Sequence, residues 1–182
     1  MKALRLLLFV AVIPGFFACM SPQERAIEKI ENLNTALFKD TIHSLDKVKA
    51  RELIDLYMQY ANDFPEDAKS PEYLFHAGEM AMNIQEGELA IKALRIIGDK
   101  YPNYEKAPES LFLIGFVYEN TLNKLDKARA VYEEFLKKYP NHEFADDARM
   151  SIEHLGIPPD KLIEMFQKKA SEDSLKASGE SN

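Results

Sequence analysis

Tryptophan is absent from this 182-residue chain, and cysteine occurs once, at Cys19. A single cysteine excludes an intrachain disulfide. Aromatic packing falls to 11 phenylalanines and 8 tyrosines. Positive charge is also scarce, with 23 Lys and Arg against 30 Asp and Glu and a formal net charge of −7. That balance argues against a nucleic-acid partner, whose backbone needs a basic patch, and against a polybasic membrane contact. Signatures of site chemistry are missing as well. HExxH does not occur, and no pair among His43, His76, His142 and His154 has the i, i+4 spacing of a helical zinc site. His76 with Glu79, and Glu153 with His154, read as surface pairs. There is no glycine-rich phosphate loop: Gly115 falls inside a predicted helix and Gly156 precedes a proline break. Acidic pairs such as Asp146–Asp147 and Glu133–Glu134 do not share a helix face, whereas glycoside hydrolysis needs two carboxylates across a cleft. No catalytic residue, metal, cofactor or small-molecule substrate is expected.

The first eighteen residues stand apart from the rest. Lys2 and Arg5 precede an apolar stretch to Phe17, and small Ala18 precedes Cys19. This is the three-part pattern of a secretory signal peptide, too short for a comfortable span and without a stop-transfer pattern. Residues 1–18 are expected to be the signal and 19–22 a tether. Phe16-Phe17-Ala18-Cys19 resembles a bacterial lipoprotein lipobox. That resemblance implies a diacylglyceryl group on the Cys19 thiol, cleavage before it and acylation of the freed amine. Several acyl chains anchor stably, whereas one is marginal. An ordinary signal with Cys19 incidental, or a retained anchor helix, also fits the pattern. Cleavage leaves 21 basic against 30 acidic side chains, a formal charge of −9. Met20 to Gln23 contain no aspartate of the kind associated with inner-membrane retention, so the expected location is the outer membrane, facing the periplasm.

Beyond the tether, apolar residues recur at helical spacing. Ala26, Ile27, Ile30, Leu33 and Leu37 predict a helix over 23–39, and a second follows over 45–64. Further helices are expected over 71–83, 88–100, 108–120 and 125–138. Ser70 is a candidate N-cap, with Pro71 in the first turn. Pro65, Pro102 and Pro140 end successive helix pairs at spacings of 37 and 38, because proline disfavours helix at the residue before it. Ala68, Ala107 and Ala145 follow at roughly matched positions. Gly78 and Gly115 lie 37 apart within helices, where glycine is destabilising relative to alanine; the recurrence predicts close approach of a neighbouring helix. The chain thus divides into a diverged hairpin (23–65), two clear repeats (71–102 and 108–140), degenerate capping helices (144–170) and a tail (171–182) expected to be disordered.

Leu74, Ala77, Gly78, Ala90, Leu94 and Pro102, then Leu111, Ile114, Gly115, Tyr118, Ala128, Tyr132 and Pro140, carry a resemblance to the tetratricopeptide repeat. The segments 101–115 and 132–148 resemble bacterial repeat lipoproteins of the outer-membrane barrel-assembly and Tol-associated group. The resemblance implies an all-α fold of antiparallel helical hairpins in a short right-handed solenoid. It further implies a non-catalytic adaptor that holds a segment of another envelope protein in a groove lined by first helices. Carried over position by position, the groove residues are Glu72, Phe75, Glu79, Met82 and Asn83, then Glu109, Phe112, Phe116, Glu119 and Asn120, with Arg149 at one end. Aromatic anchors among acids suit a basic or amide-rich peptide. Periodicity leaves open whether Phe75 and Phe112 belong to the inter-helix core. Binding through the convex face or the ends, or an enzyme with an unrecognised acidic site, are the alternatives.

Overall fold

The computed structural model describes residues 20–39 and 45–179. The expected signal peptide, Cys19 with its lipidation, and His43 lie outside the described residues. Eight helices follow in order: α1 (Pro22–Lys39), α2 (Lys47–Asp63), α3 (Lys69–Asn83), α4 (Gly87–Lys100), α5 (Ala107–Asn120), α6 (Leu125–Lys138), α7 (Ala145–His154) and α8 (Pro159–Gly179). From α1 to α7 each helix packs chiefly on the next in sequence, in an all-α stack of helical hairpins. No helix among the described residues is long and apolar enough to cross a membrane.

Local chemistry fixes the first two helix starts. The Ser21 hydroxyl accepts from the Glu24 amide (3.1 Å), and the Glu24 carboxylate accepts from the Ser21 amide (2.7 Å). This reciprocal box precedes the apolar stripe of α1. Asp46 caps α2 by accepting from the Val48 and Lys49 amides.

One turn recurs three times. Phe64, Tyr101 and Tyr139 end α2, α4 and α6 with nearly the same backbone, φ −129, −128 and −133° and ψ 59, 53 and 59°. The carbonyl of each then accepts from the amide three residues on, at Asp67, Tyr104 and His142. Those residues accept in turn from Ser70, Ala107 and Ala145. The 23–65 segment therefore ends like the two stronger repeats. The turn also corrects the register. Ser70, rather than Ala68, is the counterpart of Ala107 and Ala145: Ser70 is fully buried and Ala68 is exposed. Nor is Ser70 an N-cap. Its hydroxyl donates to the Phe64 carbonyl (2.6 Å), and the first amide of α3, at Lys69, is bound by the Asp67 carboxylate (2.8 Å).

Hairpin packing explains the paired glycines. A Cβ on Gly78 would lie 2.5 Å from the Leu94 side chain of α4, and one on Gly115 would lie 2.6 Å from the Tyr132 ring of α6. Each glycine is where the second helix of a hairpin seats a large side chain against the first. In the third copy the position belongs to Glu153, which cannot offer that contact. Accordingly α7 packs on α6, burying Ala145 and Ala148, while α8 has no comparably extensive interface. The Phe166 ring reaches His154 at 5.4 Å, yet Ile163, Met165 and Phe166 stay exposed. The last helix does not stop near residue 170: α8 continues to Gly179, through most of the segment expected to be a disordered tail.

Candidate protein-binding face

The first helices α3 and α5, together with α7, carry the candidate residues. On α3, Glu72 and Glu79 are exposed and flank His76, whose ring nitrogens lie 3.7 and 3.2 Å from their carboxylates. Asn83 is exposed and Met82 half-buried. Phe75 is 1 % exposed, and the Lys106 amine sits 4.4 Å above its ring centroid. Phe75 is thus a core residue covered by the next turn, not a groove contact.

On α5 the five candidates divide. Phe112 is half-buried, stacked on Phe144 at 5.0 Å and packed against Tyr132 and Phe135. Glu119 accepts from the Tyr132 phenol (2.8 Å), and Asn120 donates to the Phe116 carbonyl of its own helix (3.1 Å). Burial first, and the Glu119 bond second, push the Tyr132 phenol well above its ordinary value. Glu109 is partly exposed, and Phe116, at 40 % exposure, presents its ring to solvent. Arg149 pairs with Asp146 (2.6 Å) and donates to the Pro140 carbonyl (3.3 Å), which ties it to the first turn of α7.

The structure adds residues that sequence reasoning did not single out. Asn34 and Phe38 of α1 line a cleft of about 350 Å3 with Tyr57, His76, Glu79, Met80 and Asn83. Met150 of α7 is 49 % exposed. Its register matches Phe75 and Phe112, so a third count along the repeat would have found it. Tyr104 lies in the field of both α3 and α5. Its phenol is raised by burial, then by the charges of Glu72, Glu105, Glu109 and Glu79.

Ion pairs link neighbouring hairpins. Arg51 pairs with Glu86, Lys124 with Glu88, and Arg95 with Glu134 (3.8 Å). Each pair joins one hairpin to the next. No group of three or more His, Cys, Asp or Glu among the described residues could hold a metal ion.

A model of the tetratricopeptide repeat family matches residues 109–142, which span nearly all of α5, the whole of α6 and the turn beyond. The chain is a short tetratricopeptide-like, all-α repeat protein. No curated protein matches it. In this repeat protein the matched segment contains Gly115, Phe116 and Tyr132, the close-packing position, the exposed ring beside it and the residue seated on the glycine.

Proposed function

We propose that this repeat protein is a non-catalytic adaptor that receives a segment of another envelope protein on its first-helix face, while acyl groups on Cys19 hold it at the bacterial outer membrane. The exposed Phe116 ring of α5 supports the face: it stands on a first helix, within the segment that matches the repeat family. Exposed large hydrophobic side chains also occur on α1, α2 and α7, at Phe38, Val48 and Met150, and α3 has none among the described residues.

Crosslinking in intact membranes followed by recovery of the protein tests this reading. A defined envelope protein should co-purify, and Phe116→Glu should lose it while circular dichroism shows unchanged helicity. A Phe116→Glu protein that keeps wild-type partner affinity removes the face. For the anchor, intact mass should show a mature chain beginning at acylated Cys19, and Cys19→Ala should release the protein from membranes. An unmodified soluble chain beginning elsewhere removes the anchor.

Exposed Ile163 and Phe166 on α8 favour a second reading, contact through the end of the array. In that case Phe116→Glu is silent and Phe166→Glu loses the partner.

A further inference from the structure

We infer that two copies of this chain associate through α8, with the two helices antiparallel; this stands apart from the first-helix face and names what covers the end of the array. Leu162, Ile163, Phe166 and Ala170 recur at helical spacing and form one apolar side of α8. Ile163, Met165 and Phe166 are exposed, and nowhere else among the described residues do three large hydrophobic side chains stand in water within four positions. A helix draws most of its stability from packing such a side, yet α8 has no extensive interface with another helix. The third hairpin of the same chain does not supply the cover. Counted along the repeat, Leu74 and Leu111 give way to Arg149, and Gly78 and Gly115 to Glu153. On α8 the register of Leu94 and Tyr132 falls at Lys169 or Ala170, so neither helix keeps the group that seats one against the other.

The sequence of α8 is instead complementary to itself. Asp160, Glu164, Glu172 and Asp173 balance Lys161, Lys168, Lys169 and Lys176, so a second α8 meets no net repulsion, although the chain as a whole carries −7. The order of the charges sets the direction. In an antiparallel pair centred near Ala170, Lys168 and Lys169 of one copy stand level with Glu172 and Asp173 of the other, and Glu164 with Lys176. Asp160 and Lys161 then fall at the far end of the other helix, near Gly179. The same register sets Phe166 level with Ser174 and Ile163 with Ala177, large against small. A parallel pair in register sets every charge level with its like. Within one chain Lys168 and Glu172 lie 3.9 Å apart, both exposed, which leaves each open to a second partner.

Two differently tagged full-length copies, expressed together and extracted in mild detergent, test the inference. Recovery through one tag should bring the other copy with it, and light scattering should give twice the mass of one chain. Phe166→Glu in both copies should cut co-recovery at least about tenfold, whereas Phe116→Glu should leave it unchanged. Lys168→Glu/Lys169→Glu and Glu172→Lys/Asp173→Lys should each lose co-recovery about tenfold alone and regain it when the two variants are mixed, a rescue that a misfolded α8 does not give. A monomeric mass without co-recovery overturns the inference, as does co-recovery that survives Phe166→Glu or is lost in Phe116→Glu. If the second copy is never recovered but Phe166→Glu costs a different envelope protein, the inference is also overturned and the end of the array belongs to that protein. Charge reversals without effect overturn the antiparallel pairing.

Discussion

Glycine inside a helix ordinarily weakens it by about 1 kcal/mol relative to alanine, and the helical glycines here separate that backbone cost from packing. Gly98 of α4 has no heavy atom within 4 Å of where its Cβ would stand. Gly98→Ala should therefore raise stability by about 0.5–1 kcal/mol. Gly115 has the opposite environment. Its Cβ would meet the Tyr132 ring at 2.6 Å. That ring is fully buried and its phenol is held by Glu119, so it has no slack with which to recoil. Overpacking of this kind costs about 1–3 kcal/mol. Gly115→Ala should lower stability despite its better helix propensity, with the two substitutions opposite in sign in urea unfolding followed by circular dichroism. A Gly115→Ala protein as stable as Gly98→Ala would remove the close-packing role.

At the scale of elements, the recurrent turn does more than end helices. At its first occurrence it fastens α1 to the array. The Gln23 amide donates to the Asp67 carboxylate (2.6 Å) and to the Tyr60 phenol (3.0 Å). The Lys69 amide has the largest effect and holds the Asp67 carboxyl below its ordinary value of 3.8; burial, second in size, opposes it, and the bonds from the Tyr60 phenol and Gln23 lower it further. A depressed carboxyl stabilises the folded form above the ordinary carboxylate range, and that contribution is lost as pH falls through the folded value. Melting temperature should therefore drop below about pH 4. Asp67→Asn should melt lower than wild type at neutral pH and show a shallower acid-side decline. An unchanged acid limb would exclude Asp67 as its source.

The same elements show how far sequence reasoning carries. Pro65, Pro102 and Pro140 made the hairpin ends legible because proline acts through local backbone geometry. Gly78 and Gly115 were legible because a helix that must be approached closely rejects Cβ at a fixed register. The Ser70 counterpart was missed because counting alanines matches residue type, whereas the turn demands a small buried residue six positions after its aromatic cap. The burial of Phe75 was not legible either. What covers it is Lys106 of the following turn, a tertiary neighbour that helical periodicity does not encode. Exposure of Phe116 depends likewise on no later helix lying over it.

For the molecule as a whole, contact between consecutive helices means that cooperation passes from neighbour to neighbour. The α2–α3 interface between hairpins is as extensive as the α3–α4 interface within one, so the array has no weak seam there. Tyrosines sample its length. Tyr57, Tyr60 and Tyr73 cluster where the first two hairpins meet, with the Tyr60 and Tyr73 rings 4.8 Å apart and edge-on. Tyr101 and Tyr104 mark the second turn, and Tyr132 the third hairpin. Burial raises all six phenols above the ordinary value of 10.0, and Tyr73 is pushed up to about 12. The folded form then binds these protons more tightly than the unfolded chain does. Stability from these groups is fully present below about pH 10 and is lost as pH rises from there towards the folded values. Between about pH 10 and 12, tyrosinate absorbance should rise steeply together with loss of helical ellipticity, in one transition. Tyr132→Phe removes the proton held most firmly by burial and by Glu119, and should shift that transition to higher pH. Two separated absorbance steps, with helicity lost only in the second, would show that the hairpins unfold independently.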